Sequence, residues 1–258
     1  MFEAQTAFAH QIADASGELI LKYFRRLADV SDKADASPVT EADKSSERLM
    51  RNMIERYFPG DGIIGEEYGK QNEDAEFVWV LDPIDGTQSF IAGVPLFGTL
   101  IALLHNGVPV MGLINQPYTK ERWVGVAGKR TTFNGTAVQA RHCADLRRAV
   151  LFSTADKQMF ADPEDKRRFT ALYDRVKTAR FSTDCYGYAL LSAGCGDIVC
   201  EADMKLYDYA ALVPVVAGAG GVMTDWEGND LSENKGGGRI LAIGDPRLLP
   251  DVLEVLNP

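Results

Sequence analysis

The stretch WVLDPIDGTQSF, residues 79–90, places two carboxylates at the end of an apolar run that predicts a buried strand. Asp82 and Asp85 are separated by a Pro-Ile pair, and a Gly-Thr pair follows directly. Proline fixes its φ angle and glycine permits a sharp turn, so the two carboxylates can converge. Two like charges about 4 Å apart repel by about 4 kcal/mol at an intermediate effective dielectric. A divalent cation would remove this penalty, and the stretch therefore predicts a metal site.

The composition limits the classes of function that the chain can have. The 258 residues are 46% apolar, enough for a large core in one domain or two. A formal net charge of -10, with no basic run interleaved with aromatic residues, argues against a nucleic-acid polymer as partner. The first twenty residues mix acids into the apolar pattern, so we expect neither a signal peptide nor a membrane partner.

Histidine and cysteine offer little material for catalysis. The histidines lie in segments without other candidate catalytic residues, which leaves little for Ser-His-Asp or Cys-His chemistry; they are His10, His105 and His142. The cysteines show no Cys-x-x-Cys spacing, and we expect them to be reduced thiols of a cytoplasmic protein. Without a His/Cys cluster for zinc, hard oxygen ligands favour Mg²⁺ or Mn²⁺.

The periodicity changes at about residue 145. Before it, apolar spacing predicts a helix over about 4–28, then a helix near Thr40, where Thr40 and Asp43 fit a capping box. Hairpin signals follow, which indicates a mostly antiparallel sheet; they are Asn106-Gly107 and Asn134-Gly135. After it, strands alternate with helices, including one helix over YDYAALVPVVAGAGG. We expect an N-terminal α+β domain (1–145) with the metal-binding motifs and a C-terminal α/β domain (146–258) that completes the site.

Further acids lie where apolar elements meet a turn or a helix start. They are Asp43 in TEAD, Glu66 and Glu67 in GEE, and Asp208 in KLYDYAA. Each has a structural alternative when taken alone. Asp43 fits a capping acid, the glutamates fit a solvated loop, and Asp208 fits a first-turn acid that complements a helix dipole.

Together these motifs resemble the inositol monophosphatase-like, metal-dependent phosphatases. The resemblance runs over nearly the whole chain through TEAD, GEE, DPIDGTQSF and YDYAALVPVVAGAGG, in that order. One departure is Tyr207, where the family often has tryptophan. The resemblance implies a layered α-β-α-β-α sandwich of the inositol monophosphatase and fructose-bisphosphatase type, and phosphoric monoester hydrolysis with two or three Mg²⁺ ions.

The resemblance also implies a role for each matched residue. The first ion would be held by Glu66, Asp82 and the Ile84 carbonyl, the second by Asp82, Asp85 and Asp208, and a third, weaker ion through water by Glu66. Asp43 and Thr87 match the pair that orients and deprotonates the attacking water, with Glu67 a supporting acid. Backbone N–H groups of Gly86 and Thr87 would hold phosphate, and Lys33 would lie near the metal and phosphate.

The amino-acid sequences of the longer motifs resemble those of the histidinol-phosphate phosphatase branch of the family more than those of the inositol branch. They read DPIDGTQSFIAGVPLFGTLIAL, INQPYTKERWVG and CEADMKLYDYAAL. Histidinol phosphate carries an ammonium and an imidazole, so its pocket should contain extra acids. The resemblance implies that Asp184 and Glu201 are these acids on the substrate side of the pocket. Their structural alternatives are a helix N-cap for Asp184 and a surface acid for Glu201.

Other functions fit the same motifs. One is a phosphatase for inositol monophosphate or another sugar or nucleotide phosphate, because the metal core would be shared. Another is a binding or regulatory protein that keeps the fold without catalysis. The resemblance further implies a homodimer.

Overall fold

The computed structural model describes residues 2–26, 30–32, 38–154, 159–231 and 238–258. The α-helices are α1 (Glu3–Ile20), α2 (Glu41–Tyr57), α3 (Thr87–Ile91), α4 (Pro163–Tyr173), α5 (Asp184–Ser192), α6 (Leu206–Tyr209), α7 (Leu212–Gly218) and α8 (Leu249–Leu256). The strands are β1 (Val30–Asp32), β2 (Pro38–Thr40), β3 (Gly62–Gly65), β4 (Gly69–Gln71), β5 (Phe77–Asp85), β6 (Gly98–His105), β7 (Val108–Gln116), β8 (Glu121–Val126), β9 (Thr132–Phe133), β10 (Thr136–Ala137), β11 (Val150–Ser153), β12 (Thr178–Phe181), β13 (Ile198–Glu201), β14 (Val222–Thr224) and β15 (Ile240–Ile243). Among the described helices, none has the length and hydropathy needed to cross a bilayer.

The first large sheet has the strand order β10-β9-β8-β7-β6-β5-β3-β4. Its neighbours pair antiparallel except for β3 and β5, which run parallel. The predicted hairpin turns, Asn106-Gly107 and Asn134-Gly135, connect β6 to β7 and β9 to β10. The second sheet has the order β12-β11-β13-β15-β14, in which β11 runs parallel to β12 and β13 while β15 is antiparallel to its neighbours.

Strand β5 is buried on both faces, which places the first sheet between two helical layers. Alternate residues of a strand point to opposite faces. Trp79 and Leu81 therefore pack in one cluster with apolar residues of α1 and α2, whereas Val78 and Val80 pack in another with residues of α5 and α7. A continuous apolar run, FVWVL, is what such a doubly covered strand requires.

The helices α5 and α7 also cover the second sheet. Phe152 and Val199 of that sheet share a core cluster with Tyr188 and Val215. The other face of the second sheet packs against α4 and α8, through a cluster that includes Phe169. The layers are thus α1/α2, first sheet, α5/α7, second sheet and α4/α8, which confirms the predicted α-β-α-β-α sandwich.

Several predicted boundaries were wrong. Helix α1 ends at Ile20, eight residues early, and the chain turns so that Phe24 packs on Phe90 and Phe97 with ring centroids 5.3 and 4.9 Å apart. The single late helix is divided into α6 and α7, and the second sheet is mixed because β15 runs antiparallel to both β13 and β14. Helix α8 was not predicted. The capping box of Thr40 with Asp43 lies outside the described residues, since the Thr40 side chain is not among them.

The segment between Ala137 and Val150 connects the two large sheets. The proposed domain boundary at residue 145 lies in this segment. Because α5 and α7 share one core cluster with strands of both sheets, the two halves pack directly against each other. The division into two domains remains a proposal.

Candidate functional site

The carboxylates of Asp82 and Asp85 lie close together because β5 contains a bulge between them. Residues three apart on a regular strand face opposite sides. Asp82 pairs with Leu100 and Asp85 with Gly98, so two residues of β5 lie opposite one residue of β6. The extra residue returns the second carboxylate to the side of the first. The Thr99 hydroxyl supports the bulge by donating a 2.8 Å hydrogen bond to the carbonyl of Pro83.

Asp208 joins this pair from the first turn of α6. One carboxylate oxygen of each of Asp82, Asp85 and Asp208 lies within 4.8 Å of the others. The backbone N–H of Lys205 donates to the Asp208 carboxylate at 2.6 Å and fixes its direction. Helix α7, which follows, lies close to the first sheet because Gly112 has no side chain, and a Cβ there would overlap the carbonyl of Ala211.

The electrostatics of the three carboxylates favour a cation. Burial raises the pKa of Asp82 and of Asp85 well above the usual range, and neighbouring carboxylates raise both further. Burial raises the pKa of Asp208 to about 8. The Oδ1 atom of Asp82 is buried and accepts no hydrogen bond from the described residues. A divalent cation fits this arrangement, since it would pair with the orphaned oxygen and offset the repulsion.

Glu66 and Asp43 border the cluster from two further elements. Glu66 directly follows β3, whose last residue pairs with Leu81, so Glu66 lies beside Asp82. Asp43 is buried in the first turn of α2 and is 1% exposed. The charges of Glu66 and Asp43 both contribute to the raised pKa of Asp82. The structure therefore brings Asp43 and Glu66 to the three aspartates. Asp43 lies in the first turn of a helix and Glu66 in a turn, but both also border the cluster.

Gly86 and Thr87 form the turn from β5 into α3. Gly86 has φ 82°, and a Cβ there would lie 2.9 Å from the Leu96 carbonyl and 3.0 Å from the Asp184 carboxylate. This close approach requires glycine. The Thr87 hydroxyl donates a 3.0 Å hydrogen bond to the carbonyl of Ile84, the predicted carbonyl ligand.

Asp184 and Glu201 line a cleft together with Asp85 and Asp208. It has a volume of about 180 Å³ and is lined by Asp85, Thr154, Met159, Asp184, Glu201, Ala202, Asp203, Met204 and Asp208. Glu201 is 2% exposed, so its alternative as a surface acid was wrong. Thr183, rather than Asp184, is the N-cap of α5, and the Asp184 carboxylate instead accepts a 2.9 Å bond from the Ser89 hydroxyl. That alternative was therefore wrong too.

Sequence reasoning missed several polar residues that hold these acids. The Thr154 hydroxyl lies 2.7 Å from Glu201 and 3.3 Å from Asp184, and the Tyr188 hydroxyl donates to Glu201 at 3.0 Å. Burial raises the pKa of Glu201 to about 7, although these hydrogen bonds favour its charged form. A hydroxyl residue directly after a predicted strand was the available signal for Thr154. Lys33 lies outside the described residues.

A buried glutamate on α2 was also missed. Glu47 is fully buried one helical turn after Asp43 and accepts hydrogen bonds from the backbone that follows Glu66. The spacing of Asp43 and Glu47, four residues apart, could have identified it, because such residues share one helix face.

Comparisons with known proteins agree with this geometry. The family model described as "Inositol monophosphatase family" matches residues 2–256. The bifunctional phosphatase IMPL2, chloroplastic, of Arabidopsis thaliana is 50% identical over 224 residues, which cover 86% of this chain and 64% of that protein. The histidinol-phosphatase of Chlorobaculum parvum is 36% identical over 248 residues, which cover 92% of this chain and 95% of that one.

A solved structure of an inositol monophosphatase from Zymomonas mobilis has the same fold. It matches with a TM-score of 0.91 at 42% identity and covers 100% of this chain and 99% of that chain. The present chain spans only 64% of the length of the Arabidopsis relative. The full-length family match and the acidic cluster lead to one conclusion: this chain belongs to the inositol monophosphatase family and, with it, to the phosphoric monoester hydrolases.

Proposed function

We propose that this protein is a Mg²⁺-dependent phosphomonoesterase that hydrolyses L-histidinol phosphate to L-histidinol and phosphate, a step of histidine biosynthesis. The observation that carries the proposal is the pair Asp184 and Glu201, which lines the same cleft as Asp85 and Asp208. In a phosphate ester with a cationic leaving group, the phosphate would bind the metal ion held by Asp85 and Asp208. The cationic end would lie against Asp184 and Glu201.

The carboxylates and the Ile84 carbonyl form a set of hard oxygen ligands that suits Mg²⁺, with Mn²⁺ as the alternative. One ion would be held by Glu66, Asp82 and Ile84, a second by Asp82, Asp85 and Asp208, and a third, weaker one through water by Glu66. Bound Mg²⁺ supplies a water of lowered pKa and neutralises negative charge on the phosphoryl group and the leaving oxygen.

Residues of the chain would align and deprotonate the attacking water. Asp43, buried beside the cluster, would act with Thr87 as the orienting and proton-accepting pair, with Glu66 and Glu67 as further acids. The Thr87 hydroxyl donates its proton to the Ile84 carbonyl, so the lone pairs of its oxygen can accept a hydrogen bond from water. The backbone N–H groups of Gly86 and Thr87 would bind phosphate oxygens. Lys33, which is outside the described residues, would contribute a positive charge near the phosphate.

The leaving group would be recognised by charge. Histidinol carries an ammonium group and an imidazole, and Asp184 and Glu201 would bind these groups as charge-assisted acceptors. Relatives named histidinol-phosphatase, from Chlorobaculum parvum and from Mycobacterium tuberculosis, support this choice at 36% identity each.

The second candidate substrate is inositol monophosphate, which the similarity to the Zymomonas mobilis inositol monophosphatase, at 42% identity, supports. The test is phosphate release from histidinol phosphate, inositol 1-phosphate and a nucleoside monophosphate, each with Mg²⁺ and with a chelator. We expect kcat/KM to be highest for histidinol phosphate and release to stop with the chelator. A preference for inositol 1-phosphate would contradict the substrate. Absence of Mg²⁺-dependent release from every ester would favour a non-catalytic binding or regulatory role.

Two further features belong to this proposal. A homodimer is proposed from the family resemblance. A cytoplasmic location is proposed because the cysteines are free thiols, as a reducing compartment would keep them.

A further inference from the structure

Glu47 is a buried carboxylate that the proposed reaction does not use. Its Oε2 atom accepts a 2.7 Å hydrogen bond from the backbone N–H of Glu67, and its Oε1 atom accepts a 3.2 Å bond from the N–H of Tyr68. The Arg51 side chain, one turn later on α2, donates to Oε1 at 2.7 Å. These three hydrogen bonds thus come from the turn after β3 and from the arginine that balances the charge of Glu47.

The turn after β3 is shaped to receive this carboxylate. Gly65 closes β3, and a Cβ at this position would overlap the carboxylate of Glu47. Arg51 also donates to the carbonyl of Gly69, at the far end of the turn. The turn is therefore held at both ends by one ion pair of α2. This contact accounts for the glycine in Gly-Glu-Glu.

The turn carries Glu66, the proposed ligand that reaches the cluster from outside β5 and α6. We infer that Glu47 is a positioning residue of the metal site, which holds the backbone after Glu66 in its metal-binding geometry before an ion arrives. The inference rests on the proposed function, because it concerns the metal ion of that site. Hydrogen bonds from a second layer of residues commonly fix the direction of metal ligands in this way.

Glutamine at position 47 cannot accept all the hydrogen bonds that Glu47 accepts. Both carboxylate oxygens accept from N–H donors, so the NH₂ group of a glutamine would face a donor whichever way the amide is turned. Glu47→Gln therefore keeps the volume of the side chain and removes one support of the turn. Glu55→Gln is the matched control, since Glu55 lies on the same helix but is exposed and accepts a 3.1 Å hydrogen bond from the Gln71 side chain.

The experiment measures Mn²⁺ binding to the full chain without substrate. The electron paramagnetic resonance signal of free Mn²⁺ gives the bound fraction directly. We expect Glu47→Gln to bind the ion held by Glu66 at least about tenfold more weakly, and Glu55→Gln to match the parent. In turnover assays, the Mg²⁺ concentration for half-maximal activity should rise while kcat at saturating Mg²⁺ changes less. A folded Glu47→Gln protein with parental Mn²⁺ affinity would overturn the inference and leave the proposed function intact.

A measurement on the parent protein covers the case in which Glu47→Gln does not fold. The amide hydrogens of Glu67 and Tyr68 should exchange slowly even in chelator, because the Glu47 carboxylate holds them without a metal ion. Exchange at the rate of an open loop until metal is added would overturn the inference. A parent protein that bound no Mn²⁺ would overturn the proposed function and the inference together.

Discussion

Asp85 illustrates how single residues of this site are arranged for a cation. Burial, together with the neighbouring charges of Asp184 and Asp208, raises its pKa, and its described hydrogen bond comes from the backbone N–H of Cys185 at 2.6 Å. The Cys185 thiol also hydrogen-bonds to this carboxylate, but an N–H donor and a weak thiol donor are little compensation for a buried carboxylate among like charges. The side chain is therefore suited to a metal ion more than to the stability of the apo fold.

Asp85→Asn should abolish catalysis and preserve the fold. The asparagine oxygen can still accept the hydrogen bond from Cys185, but the site loses one negative ligand. We expect kcat/KM for the ester to fall by about a thousandfold, which corresponds to about 4 kcal/mol of transition-state stabilisation. Phosphate release and circular dichroism check both parts, with Asp74→Asn, in an exposed loop, as the control. Unchanged turnover in folded Asp85→Asn protein would remove this residue from the site.

Glu201→Gln should change specificity more than chemistry. Loss of the carboxylate removes the attraction for a cationic leaving group, while the volume of the side chain remains. We expect kcat/KM for histidinol phosphate to fall by about 10- to 100-fold, mainly through KM, and that for an uncharged-leaving-group ester such as inositol 1-phosphate to change less. Steady-state kinetics on both esters measure the difference. Equal losses on both would argue against charge recognition at this position.

At the scale of elements, the sequence predicted what depends on local pattern. The apolar run of β5, the hairpin turns and the acids at strand ends could be read from spacing and composition. The end of α1 could not, because the packing of Phe24 on two distant phenylalanines stops a pattern that continues locally. Thr154 and Glu47 had local signals, but the partners that give them a role in the site lie 47 and 20 residues away along the chain.

The contact between α7 and the first sheet gives a test at this scale. A methyl group on Gly112 would overlap the backbone carbonyl of Ala211, which cannot move without shifting the segment that follows Asp208. Gly112→Ala should lower the free energy of unfolding by about 1–3 kcal/mol and weaken metal binding. Thermal unfolding and a Mn²⁺ titration measure the two effects. Gly60→Ala is the control, because a Cβ there has no neighbour within 4 Å; equal stability of both variants would contradict the prediction.

At the scale of the whole molecule, the acidic cluster joins the two halves of the chain. Asp82 and Asp85 come from the first sheet, whereas Asp208 follows β13 of the second. Because burial raises the pKa of all three, the folded apo protein binds protons that the unfolded chain releases. The stability that these groups contribute is present below the unfolded pKa near 4 and is lost as the pH rises through about 8, the folded pKa of Asp208.

Bound metal should offset this pH dependence. In chelator, we expect the free energy of unfolding to fall by a few kcal/mol between pH 5 and pH 8.5. This is about the contribution of one or two carboxylates whose pKa is raised by folding. Mg²⁺ at about 100 times its Kd should add about 2.7 kcal/mol at the upper pH and much less at the lower, where protons compete for the ligands. Denaturant titrations across this range measure both. A pH-independent apo stability would contradict the assignment of the cluster.

The bulge in β5 explains why the acids are spaced Asp-x-x-Asp. An Asp-x-Asp strand would also direct both carboxylates to one side, but its backbone would stay in regular register with the neighbouring strand. The additional residue instead interrupts the ladder, so the carbonyls of Pro83 and Ile84 accept from the threonine hydroxyls of Thr99 and Thr87. The two-residue spacer thus makes the Ile84 carbonyl available as a potential metal ligand. No side-chain substitution at residue 84 would remove this carbonyl, whereas deletion of one spacer residue would restore the regular strand and remove it.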